Sequence, residues 1–208
     1  MNWNSWPFNT EGDIIVPTAD DQTLLTAAHA VGKTFIMGVS PLQFKHIDAG
    51  DNWYRRGEQN LEYRFGQVLS MQPDFIELQT WNDAGESHYM GNSWIEAIVG
   101  TPIVNYSQPY DHTGYWQILP AFINAYHTGA TTTDTMYPTN GADAQGTFWH
   151  HTLLAAGVSG VSTYLHVCPE ANLVIDLPIG PTRTTTRSEH SGRQGHGMYP
   201  QFFLPPLY

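Results

Sequence analysis

Cysteine is almost missing from this 208-residue chain. Cys168 stands alone, so neither an intrachain disulfide framework nor a cysteine-rich zinc site can form. Basic side chains are scarce as well, 8 against 19 acidic ones, for a formal charge of -11. Such a field repels a phosphate backbone instead of steering it in, which sets nucleic acid aside as a partner. No apolar run approaches the ~20 residues of a membrane span. The opening Met1-Asn2-Trp3-Asn4-Ser5-Trp6-Pro7 lacks the basic and apolar regions of a signal peptide, so no membrane partner is expected. Charged residues amount to 13%, against 41% hydrophobic, the reverse of a disordered composition. This length suits one ordinary core, or one domain plus part of another.

Aromatic residues are plentiful: 7 Trp, 11 Tyr and 9 Phe. Ring faces and directional hydrogen bonds hold neutral ligands that are indifferent to the net charge, and sugars fit that description.

Along the chain, a short strand is predicted up to Pro7, then a loop to Pro17. Asp20 and Asp21 offer N-cap oxygens to a helix burying Leu24, Leu25, Ala28 and Val31, with Gly32 as its stop. Lys33 to Val39 reads as a buried strand. A polar segment from Gln43 to Gly57 leads into a helix from Glu58 to Gln72, with Leu61, Phe65, Val68 and Leu69 at helical spacing. Pro73 ends it, and Asp74 to Thr80 is the next strand. This alternation argues for βαβ crossovers and a parallel sheet, whose ligand sits at the C-terminal strand ends. Tyr115 to His127 is predicted as a helix with Trp116, Leu119, Ile123 and Tyr126 on one side and Pro120 bending it. Beyond Gly129 the apolar runs Gly157 to Val167 and Ala171 to Ile179 are strand candidates, and from Pro178 loop or disorder is expected until Phe202 to Tyr208.

Chemistry concentrates in Trp81-Asn82-Asp83-Ala84-Gly85-Glu86-Ser87. Glycosidic bonds are cut by two carboxyl groups, one protonating the leaving oxygen and the other activating water or attacking the sugar. Asp83 and Glu86 supply such a pair, and their spacing admits both the ~5 Å of a retaining site and the ~6.5–9.5 Å of an inverting one. Gly85 permits a tight turn that aims both into one cleft, and Trp81 and Tyr89 offer faces for a pyranose. The competing structural reading makes Asp83 a helix cap and Glu86 the far side of a capping box. His88 either hydrogen-bonds substrate or orients a carboxylate, or makes a simple polar contact. Trp3 and Trp6 either line a sugar subsite or belong to the core. Asp111-His112 reads as a turn and helix start. The adjacent His150 and His151 point apart on any regular element, so no metal is expected.

The run from Asn52-Trp53-Tyr54-Arg55-Arg56-Gly57 through Pro73-Asp74-Phe75-Ile76 to Trp81-Asn82-Asp83-Ala84-Gly85-Glu86-Ser87-His88-Tyr89 closely resembles glycoside hydrolase family 71, the fungal α-1,3-glucanases or mutanases. Trp3-Asn4-Ser5-Trp6-Pro7, Met37-Gly38-Val39-Ser40-Pro41 and Asp111-His112-Thr113-Gly114 extend the likeness over about Met1 to Gly129. The resemblance implies an α/β fold: residues 1–129 as the C-terminal half of a (β/α)8 TIM-type barrel, about its last three βα units, then an irregular or β-rich segment over 130–208, partly disordered. It implies inverting hydrolysis of α-1,3-glucan with no cofactor, in an extracellular or cell-wall setting. Asp83 and Glu86 inherit the catalytic role by position, which is acid and which base staying open. Trp81, Asn82, His88, Tyr89, Trp6, Trp3 and Ser40 are the substrate contacts it suggests. Two departures stand out: Ala84 replaces a usual Tyr, and Gln43-Phe44-Lys45 replaces a more aromatic stretch. Roughly five βα units of such a barrel would precede Met1. The alternative expectation is therefore a truncated, inactive fragment that keeps a glucan-binding surface.

Overall fold

A computed structural model describes residues 1, 5, 15–41, 43–46, 52–55, 60–91, 93–107, 110–149 and 174–176. The strand predicted up to Pro7 and the run Gly157 to Val167 lie outside the described residues, as does everything after 176.

Helix α1 (Ala19–Ala30) starts from Thr18 with no side-chain cap. It stops as its sequence dictates: Gly32 takes φ 66°, its N–H donates to His29 O at 3.0 Å, and the Lys33 N–H reaches back to Ala28 O at 2.9 Å. Those two bonds make a Schellman ending, which requires the left-handed conformation that glycine adopts freely. The buried face of α1 differs from the expected one. Leu24 and Val31 are exposed, Leu25 and Ala28 are partly buried, and the side chain that α1 buries fully is Asp21. Asp20 and Asp21 sit inside the first turn instead of capping it.

Strand β1 (Ile36–Val39) follows, shorter than predicted but buried as expected. Where a polar connection was predicted, β2 (Gln43–His46) and β3 (Asn52–Arg55) pair antiparallel, Gln43 opposite Arg55. Four-residue strands carrying mostly polar side chains give too short an alternation to separate from loop. Helix α2 (Asn60–Met71) then buries Leu61, Phe65, Val68 and Leu69, each worth about 1.5–3 kcal/mol of transfer free energy. Strand β4 (Phe75–Leu78) returns parallel to β1, Ile36 beside Phe75 and Val39 beside Leu78, so β1, α2 and β4 form a strand-helix-strand crossover. Asp74 fastens its start. One carboxylate oxygen accepts the Phe35 N–H at 2.8 Å and meets His29 Nε2 at 2.8 Å, which holds its pKa below the usual carboxylate value.

The short helices α3 (Ile95–Ile98) and α4 (Val104–Ser107) lead to a 3₁₀ turn at Thr113–Gln117 and helix α5 (Leu119–His127). The single long helix predicted here is divided because Pro120 belongs in a first turn, where its missing N–H costs nothing. Its fully buried face is Ala121, Phe122 and Ala125; of the predicted stripe, Leu119 and Tyr126 pack against the core, while Trp116 and Ile123 are exposed. Phe122 stacks on Phe65 of α2 at 4.0 Å between centroids. Gly129, at φ 73°, closes α5 with the same double bond pattern as Gly32. Strands β5 (Thr147–Trp149) and β6 (Val174–Asp176) pair antiparallel, the latter within the predicted run Ala171 to Ile179. The fold is mixed α/β with a small parallel sheet. No helix among the described residues is long and apolar enough to cross a membrane.

One buried ion pair ties the layers together. Arg64, fully buried on α2, donates its Nη1 and Nη2 to the Asp21 carboxylate at 2.5 and 3.1 Å and its Nε to Gly38 O at 2.8 Å. One guanidinium thus joins α1, α2 and β1. Replacing it with Met strips Asp21 of its counter-charge in a dry site, and urea unfolding is expected to show a loss of about 3–5 kcal/mol. Asp21→Leu combined with Arg64→Met is expected to recover most of that; a single variant as stable as the parent would deny the pair this role.

Candidate active site

The segment after β4 folds back on itself. Pairing with β1 runs one residue past the strand through Gln79 N–H to Val39 O at 2.8 Å, and the Gln79–Thr80 peptide is cis. Thr80 then binds the returning chain: its N–H donates to His88 O at 3.3 Å, its hydroxyl donates to the same oxygen, and its carbonyl accepts Met90 N–H at 2.8 Å. His88 N–H reaches Asp83 O at 3.0 Å, Gly91 N–H reaches Trp81 O at 2.8 Å, and Thr80 Oγ1 accepts Asp83 N–H at 3.0 Å. Inside this closed segment lies one 3₁₀ turn, Ala84–Glu86, with Ala84 buried. The left-handed residue is Ser87 at φ 50°, and a Cβ on Gly85 would meet Asp83 Oδ1 at an ordinary 3.6 Å, so the turn does not draw on glycine as predicted.

The two carboxyl groups sit in unlike surroundings. Asp83 is partly buried, and burial together with the neighbouring Glu86 charge raises its pKa above the usual value, against smaller opposing effects from the Glu86 N–H, Lys45 and the Gly85 N–H. Glu86 is held from β2: Lys45 Nζ lies 2.8 Å from Oε1 and Gln43 Nε2 donates to Oε2. The capping box is not formed, because the Glu86 side chain turns to β2 instead of reaching back to the start of the turn. Gln43 and Lys45 were not among the expected site residues. Their spacing of two, which puts both on one face of a strand, is the signal that was there to read.

The remaining expected contacts divide. Trp81 is 63% exposed and Asn82 is exposed beside it. The Trp81 indole stacks on Trp116 at 5.6 Å and 11°, and Trp116 Nε1 donates to Met90 O at 2.7 Å. Gly91 lies beneath, where a Cβ would stand 2.8 Å from both Trp81 Cε2 and Trp81 O. Tyr89, expected to offer a face to sugar, is fully buried: it stacks on His112 at 3.7 Å and donates its hydroxyl to Ser107 O and Tyr110 O, both at 3.1 Å. Burial pushes that hydroxyl up to about 12, so it stays a donor. His88 is buried as well. Ser40 is fully buried just past β1, sharing a hydrogen bond with Ser5 and donating to Gln79 Oε1 at 3.2 Å. Tyr89, His88 and Ser40 therefore build the floor of the segment instead of an open surface. Asp111 forms the expected turn, its Oδ1 accepting Thr113 N–H at 2.8 Å, and His112 precedes the 3₁₀ turn. Trp3, Trp6, His150 and His151 lie outside the described residues. A cavity of about 550 Å³ runs along the outer side of α2, lined by Glu62, Tyr63, Gln67 and Ser70, and includes neither carboxylate.

Two carboxyl groups of contrasting environment, at the C-terminal end of a parallel strand, are the equipment of acid–base bond hydrolysis. The chain belongs to glycosyl hydrolase family 71, whose family model matches residues 1–165. It is 35% identical over 129 residues to a glucan endo-1,3-alpha-glucosidase of Schizosaccharomyces pombe, covering 62% of this chain and 29% of that protein. It is 34% identical over 156 residues to a mutanase of Penicillium rubens, covering 72% and 32%, and 29% identical over 135 residues to an ascus wall endo-1,3-alpha-glucanase of Schizosaccharomyces pombe, covering 62% and 30%. The matched region thus spans about 30% of the length of these relatives. No solved structure gives a significant match.

Gly91→Ala is expected to lift the Trp81 indole and backbone, costing about 1–3 kcal/mol in denaturant unfolding and changing tryptophan fluorescence; an unchanged spectrum and midpoint would show that Trp81 does not rest on Gly91. Stability should also depend on acid through His112. Burial lowers its pKa to about 4 from 6.5, while its Nδ1–H donates to Tyr89 O at 2.7 Å. Its neutral form is favoured in the fold, so its contribution is complete above pH ~6.5 and is lost at about 1.4 kcal/mol per pH unit down to about 4. Urea melts between those pH values should show a shallower slope for His112→Asn than for the parent chain, and equal slopes would count against the assignment.

Proposed function

We propose that this chain carries the acid–base pair of an α-1,3-glucan hydrolase, with Asp83 as general acid and Glu86 as general base. The observation that carries the reading is the contrast between the two groups. Asp83 is desolvated and faces a like charge, so it keeps its proton to higher pH, whereas Glu86 is matched by an ammonium and an amide. In the inverting sequence, Asp83 donates its proton to the glycosidic oxygen as the bond from anomeric carbon to that oxygen breaks. Glu86 takes a proton from a water molecule attacking the opposite face of the sugar. Exposed Trp81 and Asn82 are the substrate contacts, an aromatic face and an amide beside the pair. The activities of the relatives support α-1,3-glucan as substrate and partner, and the ascus wall enzyme among them supports a cell-wall setting.

Strands β1 and β4 are read as neighbours in a (β/α)8 barrel to which residues 1–129 contribute, with the β5–β6 pair opening a separate β-rich segment from 130. Support comes from the parallel crossover and from placement of the pair just past the C-terminal strand ends.

Release of reducing sugar from insoluble α-1,3-glucan is expected to fall at least 100-fold in Asp83→Asn and in Glu86→Gln, with cooperative melting intact. A glycoside with a good leaving group should recover turnover in Asp83→Asn, and azide should recover it in Glu86→Gly with inverted stereochemistry. Parent-like turnover in both carboxamide variants would refute the pair. Binding to the glucan without sugar release by the parent chain would assign it a binding role instead.

A further inference from the structure

The hairpin of β2 and β3 supplies charge and hydrogen bonds to the turn that carries the carboxylates. Gln43 and Lys45 are two residues apart on β2, so their side chains leave the strand on the same side, toward residues 84–86. Each takes a different oxygen of Glu86: the Gln43 amide donates to Oε2, and the Lys45 ammonium meets Oε1 at 2.8 Å. Gln43 is buried, and Glu86 and Lys45 are each partly covered, with side-chain exposures of 25% and 36%. A carboxylate held through both oxygens from one strand cannot rotate about its terminal torsion without breaking one of the two bonds. Lys45 also acts on the second carboxyl, because its charge opposes the effects that favour the protonated form of Asp83.

We propose that Gln43 and Lys45 are positioning residues, a two-point clamp that fixes the orientation of Glu86 and supplies the positive charge shared by the carboxylate pair. This goes beyond the acid–base reading of Asp83 and Glu86 and rests on it. The clamp gives the turn a rigid reference outside its own backbone. It also places one cation against two acidic groups, so a single proton and a single ammonium suffice to neutralise the site. Among the described residues, the charged groups facing Asp83 are Glu86 from its own turn and Lys45 from β2, while His88 pairs with it through the backbone. Removing Lys45 therefore takes away the one cation acting on Asp83 in this set.

The experiment compares the parent chain with Lys45→Met, Lys45→Arg and Gln43→Leu. Carbon-13 NMR titration of the Asp83 carboxyl needs no turnover. Its midpoint is expected to rise in Lys45→Met and to return in Lys45→Arg. An unmoved midpoint in folded Lys45→Met overturns the proposal. In kinetics on α-1,3-glucan, Lys45→Met and Gln43→Leu are expected to lower kcat about 10-fold with KM within twofold, as for groups that act through Glu86. A raised KM at unchanged kcat also overturns it, since that pattern belongs to a direct substrate contact. The carboxylate reading fails separately: parent-like turnover in Asp83→Asn and Glu86→Gln would remove it while leaving the Asp83 midpoint shift in place.

Discussion

A single guanidinium, that of Arg64, is the constraint on which this architecture depends. Burying an arginine and an aspartate together costs several kcal/mol of desolvation per ion, which is recovered only when the hydrogen bonds are well directed. Here Arg64 donates to Asp21, to Gly38 O and to Gln67 Oε1. Because Gly38 lies inside β1, the pair fixes the height of α2 against the strand, and β4 takes its register from the same strand. The carboxylate-bearing segment begins where β4 ends, so the buried pair sets the level at which Asp83 and Glu86 emerge.

Above that level, polarity is arranged in two tiers. The lower tier is closed. Ser5, Ser40 and the side-chain oxygen of Gln79 are joined by hydrogen bonds at the strand ends, and Tyr89 and His112 stack beneath the turn. The upper tier is open and carries Trp81, Asn82 and the carboxyl groups, with Lys45 reaching in from the hairpin. Segregation of this kind lets burial raise the Asp83 pKa while Trp81 and Asn82 beside it stay exposed.

Much of the fold was legible because its signals are local. Apolar residues at helical spacing identified the buried face of α2, glycine past the last turn identified the end of α1, and the short apolar run before Ser40 identified β1. The failures share a cause, which is that the deciding partner is distant in sequence. Nothing near Asp21 shows that Arg64, 43 residues on, will draw it inward and turn α1 so that Leu24 faces out. Likewise nothing near Phe122 shows that it will stack on Phe65 of α2, with Ala121 and Ala125 buried beside it. In the candidate site, the compact motif placed Asp83 and Glu86 together on one short turn, as the structure has them. The burial of Tyr89, His88 and Ser40 depends on neighbours such as His112 and Ser5 that no short window contains. The stretch Gln43-Phe44-Lys45, which departs from the family likeness, supplies the two side chains that hold Glu86.

The backbone bonds that close residues 80–91 on themselves have a thermodynamic meaning. A reactive loop left open in the free protein must be frozen when ligand arrives, and that ordering is subtracted from affinity. Here the freezing is done once, during folding. Any ligand that reaches this segment meets a preassembled rim, whose ordering is not subtracted from affinity.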